Sequence, residues 1–126
     1  MNKEIIHTNN APAAIGPYSQ AVRSGSFLFL AGQIPLIPGT SELANKDIAE
    51  ETHQVMKNLL AVLTEAGMNF SNVVKTTIFL SDMSLFAQVN EIYGSYFNDN
   101  FPARETVAVK GLPKNANIEI SMIAAA

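Results

Sequence analysis

Two segments with helical periodicity separate the strand-forming runs of this sequence, and their small number limits the folds available to it. The first begins at Asp47, with Glu50 placed to complete a capping box, and ends at Gly67. The second begins at Ser84 and carries an apolar stripe at helical spacing. Two helices can cover one face of a sheet but not both. The sequence therefore predicts an α+β fold with the helices on one face of a mixed sheet.

Six runs rich in β-branched and aromatic residues, or alternating in polarity, predict strands. They cover residues 3–7, 20–23, 26–31, 73–81, 106–110 and 117–124. With the helices in place, the predicted element order is β-β-β-α-β-α-β-β. No repeat or linker divides the 126 residues, so we expect one domain over residues 1–126.

The last predicted strand has two faces of different character. Ile118, Ile120 and Met122 fall on one side, where we expect the helices to cover them. Glu119 and Ser121 fall on the other, uncovered side. Charged residues make up only 15% of the chain, which is low for a small monomer. The free face is therefore a candidate subunit interface.

The composition argues against several classes of function. The chain has no cysteine, which excludes disulfides, thiolate catalysis and cysteine-based metal sites. Its two histidines, His7 and His53, fall in separate elements, so we expect no metal site. The net charge of -3 and the scattered basic residues disfavour nucleic acid. Without an apolar leader or a membrane-length run, we expect a cytoplasmic protein that does not associate with membranes.

Four residues are candidates for a site, and each has a simpler alternative. Arg104 precedes residues 106–109, a run predicted to be a buried strand; it is either a surface arginine or a fork that binds a carboxylate. Glu119 is either an interface ion-pair partner or a group that positions water and moves protons. Tyr18 could pack on its loop, and Asn90 could be solvated.

Five segments occur in one order along the chain: "APAAIGPYSQA", "LAGQIP", "VVKTTIFLSDM", "FPARETVAV" and "LPKNANIEISMIA". Together they resemble the RidA/YjgF family of reactive-intermediate deaminases. Some members of that family are named for endoribonuclease or translation-inhibitor activity. The resemblance extends from about residue 3 to residue 125.

The resemblance implies a fold like that of the trimeric chorismate mutases, with three sheets around a central barrel. Active sites would then lie in clefts between subunits of a homotrimer. The implied reaction is the hydrolysis of reactive 2-enamino and 2-imino acids, such as 2-aminoacrylate and 2-iminopropionate, to 2-keto acids and ammonia. It implies a small anionic ligand and no cofactor or metal.

The resemblance also implies roles for individual residues. Arg104 would grip the substrate carboxylate, and Glu119 would act on the attacking water. Tyr18 would line the pocket from its loop. The backbone N–H of Gly32 could also reach the carboxylate, and Asn90 would lie near the cleft.

The sequence departs from the family pattern at several positions. Ala31 stands where active members often have serine, and Ser121 replaces a second glutamate. Thr106 replaces a cysteine, although the family uses the backbone carbonyl there for catalysis. Glu105 replaces a small residue; it faces away from Arg104 if the strand has begun by that point. If the strand has not begun, its charge could weaken anion binding.

Two other functions are compatible with the same sequence. One is the ribonuclease or translation-inhibitor activity attached to the family name. The other is a non-catalytic module that senses a 2-keto acid or docks a regulatory protein. A turnover assay with an imine separates both from the deaminase.

Overall fold

The computed structural model describes residues 2–126 and contains two helices over one face of a six-stranded sheet. The strands are β1 Glu4–Ile6, β2 Ala21–Ser24, β3 Phe27–Gln33, β4 Val73–Leu80, β5 Ala103–Ala108 and β6 Ile118–Ala125. The helices are α1 Ile48–Glu65, between β3 and β4, and α2 Phe86–Gly94, between β4 and β5. The strand order in space is β1-β2-β3-β6-β4-β5, with β4 and β5 parallel and the other neighbours antiparallel. The predicted α+β fold and its element order are confirmed.

Helix α1 begins and ends at the predicted residues because local hydrogen bonds satisfy its ends. The Asp47 side chain accepts a 2.8 Å hydrogen bond from the Glu50 N–H. At the other end, Gly67 adopts a positive φ of 77°, which glycine tolerates without strain. The N–H of Met68 then reaches back to the Leu63 carbonyl at 2.9 Å. Both ends therefore follow from short-range sequence signals.

The core lies between the helices and the inner face of the sheet. Ile118, Ile120 and Met122 of β6 are buried there, as their alternation predicts. Helix α1 packs on β3 and β6 and against α2. Within α1, Val62 is fully buried, whereas Leu60 lies at the margin of the buried face and is 37% exposed.

Helix α2 begins later than its sequence suggests. Asp82 caps the segment by accepting a hydrogen bond from the Ser84 N–H at 2.8 Å. The residues that follow, Met83–Leu85, form a 3₁₀ turn, and the α-helix starts at Phe86. The prediction of a helix start at Ser84 was therefore two residues early, because the capping residue opens a tighter turn first.

Strand β5 differs from its prediction in position and in burial. It starts at Ala103, three residues before the predicted start at Thr106, so Arg104 lies inside the strand. It pairs only with β4 and forms an edge of the sheet within residues 2–126. Val107 is 42% exposed, so the prediction of a buried strand is wrong for a single protomer. Its β-branched residues favour a strand in either setting and do not distinguish an edge from the interior.

The face of the sheet opposite the helices is uncovered within residues 2–126. Side chains in register form mostly apolar rows across it. One row crosses all six strands and contains Ile5, Val22, Phe29, Ile123, Lys75 and Ala103. Phe29 is 46% exposed, although aromatic side chains of this size are usually buried.

Candidate functional site

Arg104 lies on the helix-covered face of β5, directly opposite Thr76 of β4. Its Nη1 donates a 2.7 Å hydrogen bond to Oδ1 of Asn90 on α2. The guanidinium carbon is 5.2 Å from the centre of the Tyr93 ring and 5.6 Å from that of Phe86. Arg104 makes no ion pair with a carboxylate among residues 2–126. Its charge is therefore available to an anionic ligand.

The three side chains that surround Arg104 come from one side of α2. Phe86, Asn90 and Tyr93 are spaced by four and three residues, which aligns them along a helix. Tyr93 is buried, and its hydroxyl donates a 3.0 Å hydrogen bond to Oγ1 of Thr76. Phe86 and Tyr93 belong to the apolar stripe of the second helix, and their contact with Arg104 was not predicted from the sequence. Their spacing was visible in the sequence, but the register of β5 on β4 was not.

A cleft of about 420 Å³ opens beside the Arg104 guanidinium. Its lining residues are Asn90, Tyr93, Gly94, Phe101, Pro102 and Arg104. Of these, Arg104 is the one charged side chain. The cleft therefore combines a single cation with aromatic walls, which suits a small anion that also has an apolar part.

Thr106 lies two residues beyond Arg104 on the same side of β5. Its hydroxyl oxygen is shielded from solvent and has no hydrogen-bond partner among residues 2–126. Its backbone carbonyl points away from β4. The Val109 N–H donates to the Leu80 carbonyl, and successive residues of a parallel strand turn their backbone groups to opposite sides. Thr106, three residues before Val109, therefore faces the other way. The Thr106 carbonyl thus lies at the sheet edge.

Glu119 lies on the opposite face of the sheet from Arg104. It is half-buried on β6, across from Phe79 of β4, whereas Arg104 pairs with Thr76 on the helix side. Burial raises the pKa of the Glu119 carboxyl above its usual value. The two charges therefore do not meet within one protomer, and a site that uses both requires two chains.

The Glu119 carboxyl lies against the backbone of Gly32. A Cβ atom at Gly32 would come within 2.9 Å of the Glu119 carboxyl carbon and would clash with its Oε2. Glycine permits this close approach because it has no side chain. The register of β3 on β6 shifts between Leu30 and Gln33, so the chain is irregular at this point. The structure thus brings together Gly32 and Glu119, two of the predicted site residues.

Tyr18 belongs to the loop before β2 and is 55% exposed. The loop is held by the buried Gln20 side chain, whose amide donates to the Thr8 and Pro12 carbonyls at 3.0 and 2.8 Å. The Gln20 carbonyl accepts a 2.9 Å hydrogen bond from the N–H of Ala31, the residue before Gly32. Tyr18 thus lies two residues before Gln20, the residue that bonds to Ala31 next to Gly32. The anchoring role of Gln20 was not predicted.

The predicted site residues thus form two groups in the protomer. The cationic group, on the helix side of β5, contains Arg104, Asn90 and Thr106. The carboxylate group, at the Gly32 end of β3, contains Gly32 and Glu119, and Tyr18 lies on the loop that leads into β2. A site built from both groups would consist of two half-sites, one supplied by each group.

Glu105 does not share the cleft with Arg104. Strand β5 has begun before it, so its side chain turns to the open face. There it accepts a hydrogen bond from Thr77, and Lys75 Nζ lies 3.2 Å from its Oε1. These two partners hold the pKa of the exposed Glu105 carboxyl below its usual value. The expectation that Glu105 faces away from Arg104 within the strand is confirmed, and its charge is balanced locally.

Glu51 is a buried carboxylate that sequence reasoning did not single out. It accepts hydrogen bonds from the backbone N–H and the side-chain Nδ2 of Asn117, at 3.0 and 2.7 Å. These bonds join the start of α1 to the start of β6, two residues before Glu119. Because both oxygens are occupied, Glu51 fixes β6 and is not free for a ligand.

The described residues contain neither a candidate metal cluster nor a candidate membrane-spanning helix. Across residues 2–126, no group of three or more histidine, aspartate and glutamate side chains is arranged to hold a metal ion. No helix in the same part of the chain combines the length and apolar character needed to cross a membrane.

Comparison with known proteins identifies the family. The endoribonuclease L-PSP family profile matches residues 8–126. A RutC family protein of Pyrococcus horikoshii is 51% identical over 122 residues, covering 97% of each chain. The chain belongs to the RidA/YjgF family, and the resemblance seen in the sequence is confirmed.

Two further relatives connect this family to a fold and to an activity. The crystal structure of YyfA from Yersinia pestis, a protein of the Rid family, superposes with a TM-score of 0.96. It is 49% identical and matches over 99% of this chain and 100% of its own. The human 2-iminobutanoate/2-iminopropanoate deaminase is 47% identical over 122 residues, covering 97% of this chain and 89% of that protein.

Proposed function

We propose that this protein hydrolyses 2-imino acids and their enamine tautomers, such as 2-iminopropionate and 2-aminoacrylate, to 2-keto acids and ammonia. The observation that carries the proposal is the arrangement of Arg104. Its guanidinium is held by Asn90 and two aromatic rings beside an apolar-walled cleft and is not neutralised by a carboxylate among residues 2–126. The deaminase activity of relatives near 47% identity supports the same reaction.

The proposed active unit is a homotrimer with sites between its subunits. Arg104 and Glu119 lie on opposite faces of one sheet, so the cationic group of one chain would have to meet the carboxylate group of a neighbour. The uncovered sheet face, with its apolar rows, is the surface that would be buried on assembly. The low charged fraction of the chain, 15%, agrees with an extensive interface.

The chemistry needs few groups because the imine carbon is already electrophilic. Water adds to that carbon, the carbon–nitrogen bond breaks, and the products are a carbonyl group and ammonia. Arg104 would bind the substrate carboxylate through its paired N–H groups. The Thr106 carbonyl at the sheet edge would accept a hydrogen bond from the substrate amine or the attacking water. No metal-activated hydroxide is required for these steps.

Glu119 would transfer protons during this reaction. Burial raises the pKa of its carboxyl, which brings it closer to the range where a group can both accept and donate protons near neutral pH. It would take a proton from the attacking water and return it to the departing ammonia. The absence of a side chain at Gly32 would let the carboxyl occupy this position against the backbone.

The ribonuclease description of the family has less support in this chain. The net charge is -3, and of the described residues that line the cleft only Arg104 is basic. Binding a polynucleotide backbone usually requires several neutralising side chains along one surface. Incubation with a structureless RNA, followed by gel analysis, would expose such an activity.

The test is direct turnover of an imine. An amino-acid oxidase generates 2-iminopropionate from alanine, and its decay to pyruvate is followed with and without the protein. We expect the purified protein to accelerate the decay, Arg104→Ala to lose most of the acceleration, and Lys57→Ala, an exposed cation on α1, to retain it. Decay at the spontaneous rate with the wild-type protein would rule out the proposed activity.

A further inference from the structure

Arg104 is an exposed side chain whose guanidinium nevertheless has a fixed environment. The ring closest to it belongs to Tyr93, only 3% exposed, with its centre 5.2 Å from the guanidinium carbon. An exposed arginine normally samples many rotamers, and binding a ligand would then require it to be ordered. The residues that hold the guanidinium therefore influence how well it binds an anion.

Tyr93 is itself fixed from two directions. Its hydroxyl donates to Oγ1 of Thr76, a residue with no solvent exposure, at 3.0 Å. Its ring also packs against Phe97, with ring centres 4.9 Å apart. Thr76 and Arg104 are direct partners across the parallel strands β4 and β5. Tyr93 thus contacts both members of one cross-strand pair and connects the arginine on the edge strand to the inner strand β4.

We propose that Tyr93, anchored through Thr76, is a positioning residue that orients the Arg104 guanidinium for the substrate carboxylate. The inference rests on the proposed function for its substrate, whereas the contacts of Tyr93 with Arg104 and Thr76 do not depend on that function. The Tyr93 ring contacts Arg104 directly, and the proposed role is exerted through that arginine. Asn90 contributes to the same orientation, because its Oδ1 accepts a hydrogen bond from Arg104.

Removing the ring provides the first test. Tyr93→Leu should raise the KM for 2-iminopropionate about 5- to 30-fold, the range expected for losing a partly desolvated cation–π contact. It should leave kcat within about 3-fold, because the carboxylate is bound equally in the ground and transition states. In an Arg104→Ala background, Tyr93→Leu should have no further effect on KM. A purely structural role predicts instead a lower kcat in both backgrounds.

The anchor requires a paired substitution. Tyr93→Phe alone leaves the buried Thr76 hydroxyl without its hydrogen-bond partner, and Thr76→Val alone does the same to the tyrosine hydroxyl. Each single change therefore also costs stability. Tyr93→Phe combined with Thr76→Val removes both polar groups and keeps both shapes. We expect this double variant to fold, to retain kcat and to raise KM about 2- to 5-fold. It therefore keeps the inference testable should Tyr93→Leu fail to fold.

A second readout does not depend on turnover. In ¹⁵N-labelled, ligand-free protein the Arg104 Nε–H signal, assigned by its loss in Arg104→Lys, should carry a ring-current shift. Tyr93→Leu should move it toward the position of a solvent-exposed arginine, while the Arg23 signal stays in place. If the wild type hydrolyses imines but the KM and the Arg104 signal are both unchanged in Tyr93→Leu, the positioning role is refuted. If the wild type lacks turnover while the signal shifts as expected, the proposed function fails and the placement of Arg104 stands.

Discussion

Mixing two impaired variants tests whether Arg104 and Glu119 act from different subunits. One chain carries Arg104→Ala and the other carries Glu119→Gln, so every chain is defective in one half-site. Within a protomer the two residues lie on opposite faces of the sheet. A site between subunits can therefore be intact only when an unmodified cationic group meets an unmodified carboxylate group from its neighbour.

The expected recovery follows from random assembly of a cyclic trimer. With equal amounts of the two chains, each required half-site is present with a probability of about one half. About a quarter of all sites should therefore be intact, and the mixture should regain about a quarter of the wild-type rate. Neither variant alone should regain activity under the same conditions.

The assay is imine hydrolysis after the two variants are unfolded together and refolded. The controls are each variant refolded alone and the wild type refolded alone. A matched mixture combines wild type with a chain that carries both substitutions. It should retain about a quarter of the wild-type rate if the sites are shared, but about half if both residues act from one chain. No recovery in the first mixture, with half retention in the second, would refute the shared site.

Four further predictions concern single properties. Arg104→Ala should lower kcat/KM about 30- to 1,000-fold. Arg104→Lys should also be impaired, because an ammonium group lacks the paired donors of a guanidinium. The thermal melting temperatures of both variants should change little. Gly32→Ala should lose turnover because its Cβ would stand 2.9 Å from the Glu119 carboxyl carbon, whereas Gly111→Ala, with nothing within 4 Å, should retain it. Sedimentation at micromolar concentration should give a species near three times 13.6 kDa, and a single-chain mass would contradict the trimer. Burial raises the folded-state pKa of Glu119, so the stability that its protonated carboxyl contributes is present in acid and is lost as the pH rises through that pKa. Glu119→Gln, which has no such charge, should therefore melt above the wild type at neutral pH and lose this advantage on acidification.

The order and type of the elements were predictable because they depend on short-range patterns. The Asp47 cap, the left-handed Gly67 and the alternation through Ile118 and Ile120 each act within a few residues. The start of β5 was not predictable in this way. Pairing with β4 extends that strand back to Ala103, and this pairing joins residues far apart in the sequence.

Burial was the least predictable property of the edge strand. An apolar, β-branched run such as residues 106–109 suits a strand covered by the protein's own helices and a strand at an edge equally well. The sequence pattern shows that such side chains favour a strand, but not which chain covers them. In the protomer Val107 remains 42% exposed, and the proposed trimer would account for it.

The site residues were recognisable one at a time, but their grouping depended on strand register. Nothing local connects Gly32 with Glu119, or Tyr93 with Thr76, because each pair is brought together by sheet or helix packing. The resemblance to a family supplied roles without distances. The structure adds that Arg104 and Glu119 lie on opposite faces of one sheet.

Because Arg104 and Glu119 lie on opposite faces of the sheet, the activity of the proposed trimer would depend on its assembly. A change that loosens the open-face interface would separate Glu119 from its neighbour's Arg104 without touching either residue. Activity would then depend on assembly, and variants such as substitutions of Phe29 would impair turnover through the interface alone. By contrast, the contacts that orient Arg104 lie within one chain, from Tyr93 to Thr76, and would persist in a separated protomer. In the proposed assembly the cationic group would thus be ordered by folding alone, and the complete site would form only by association.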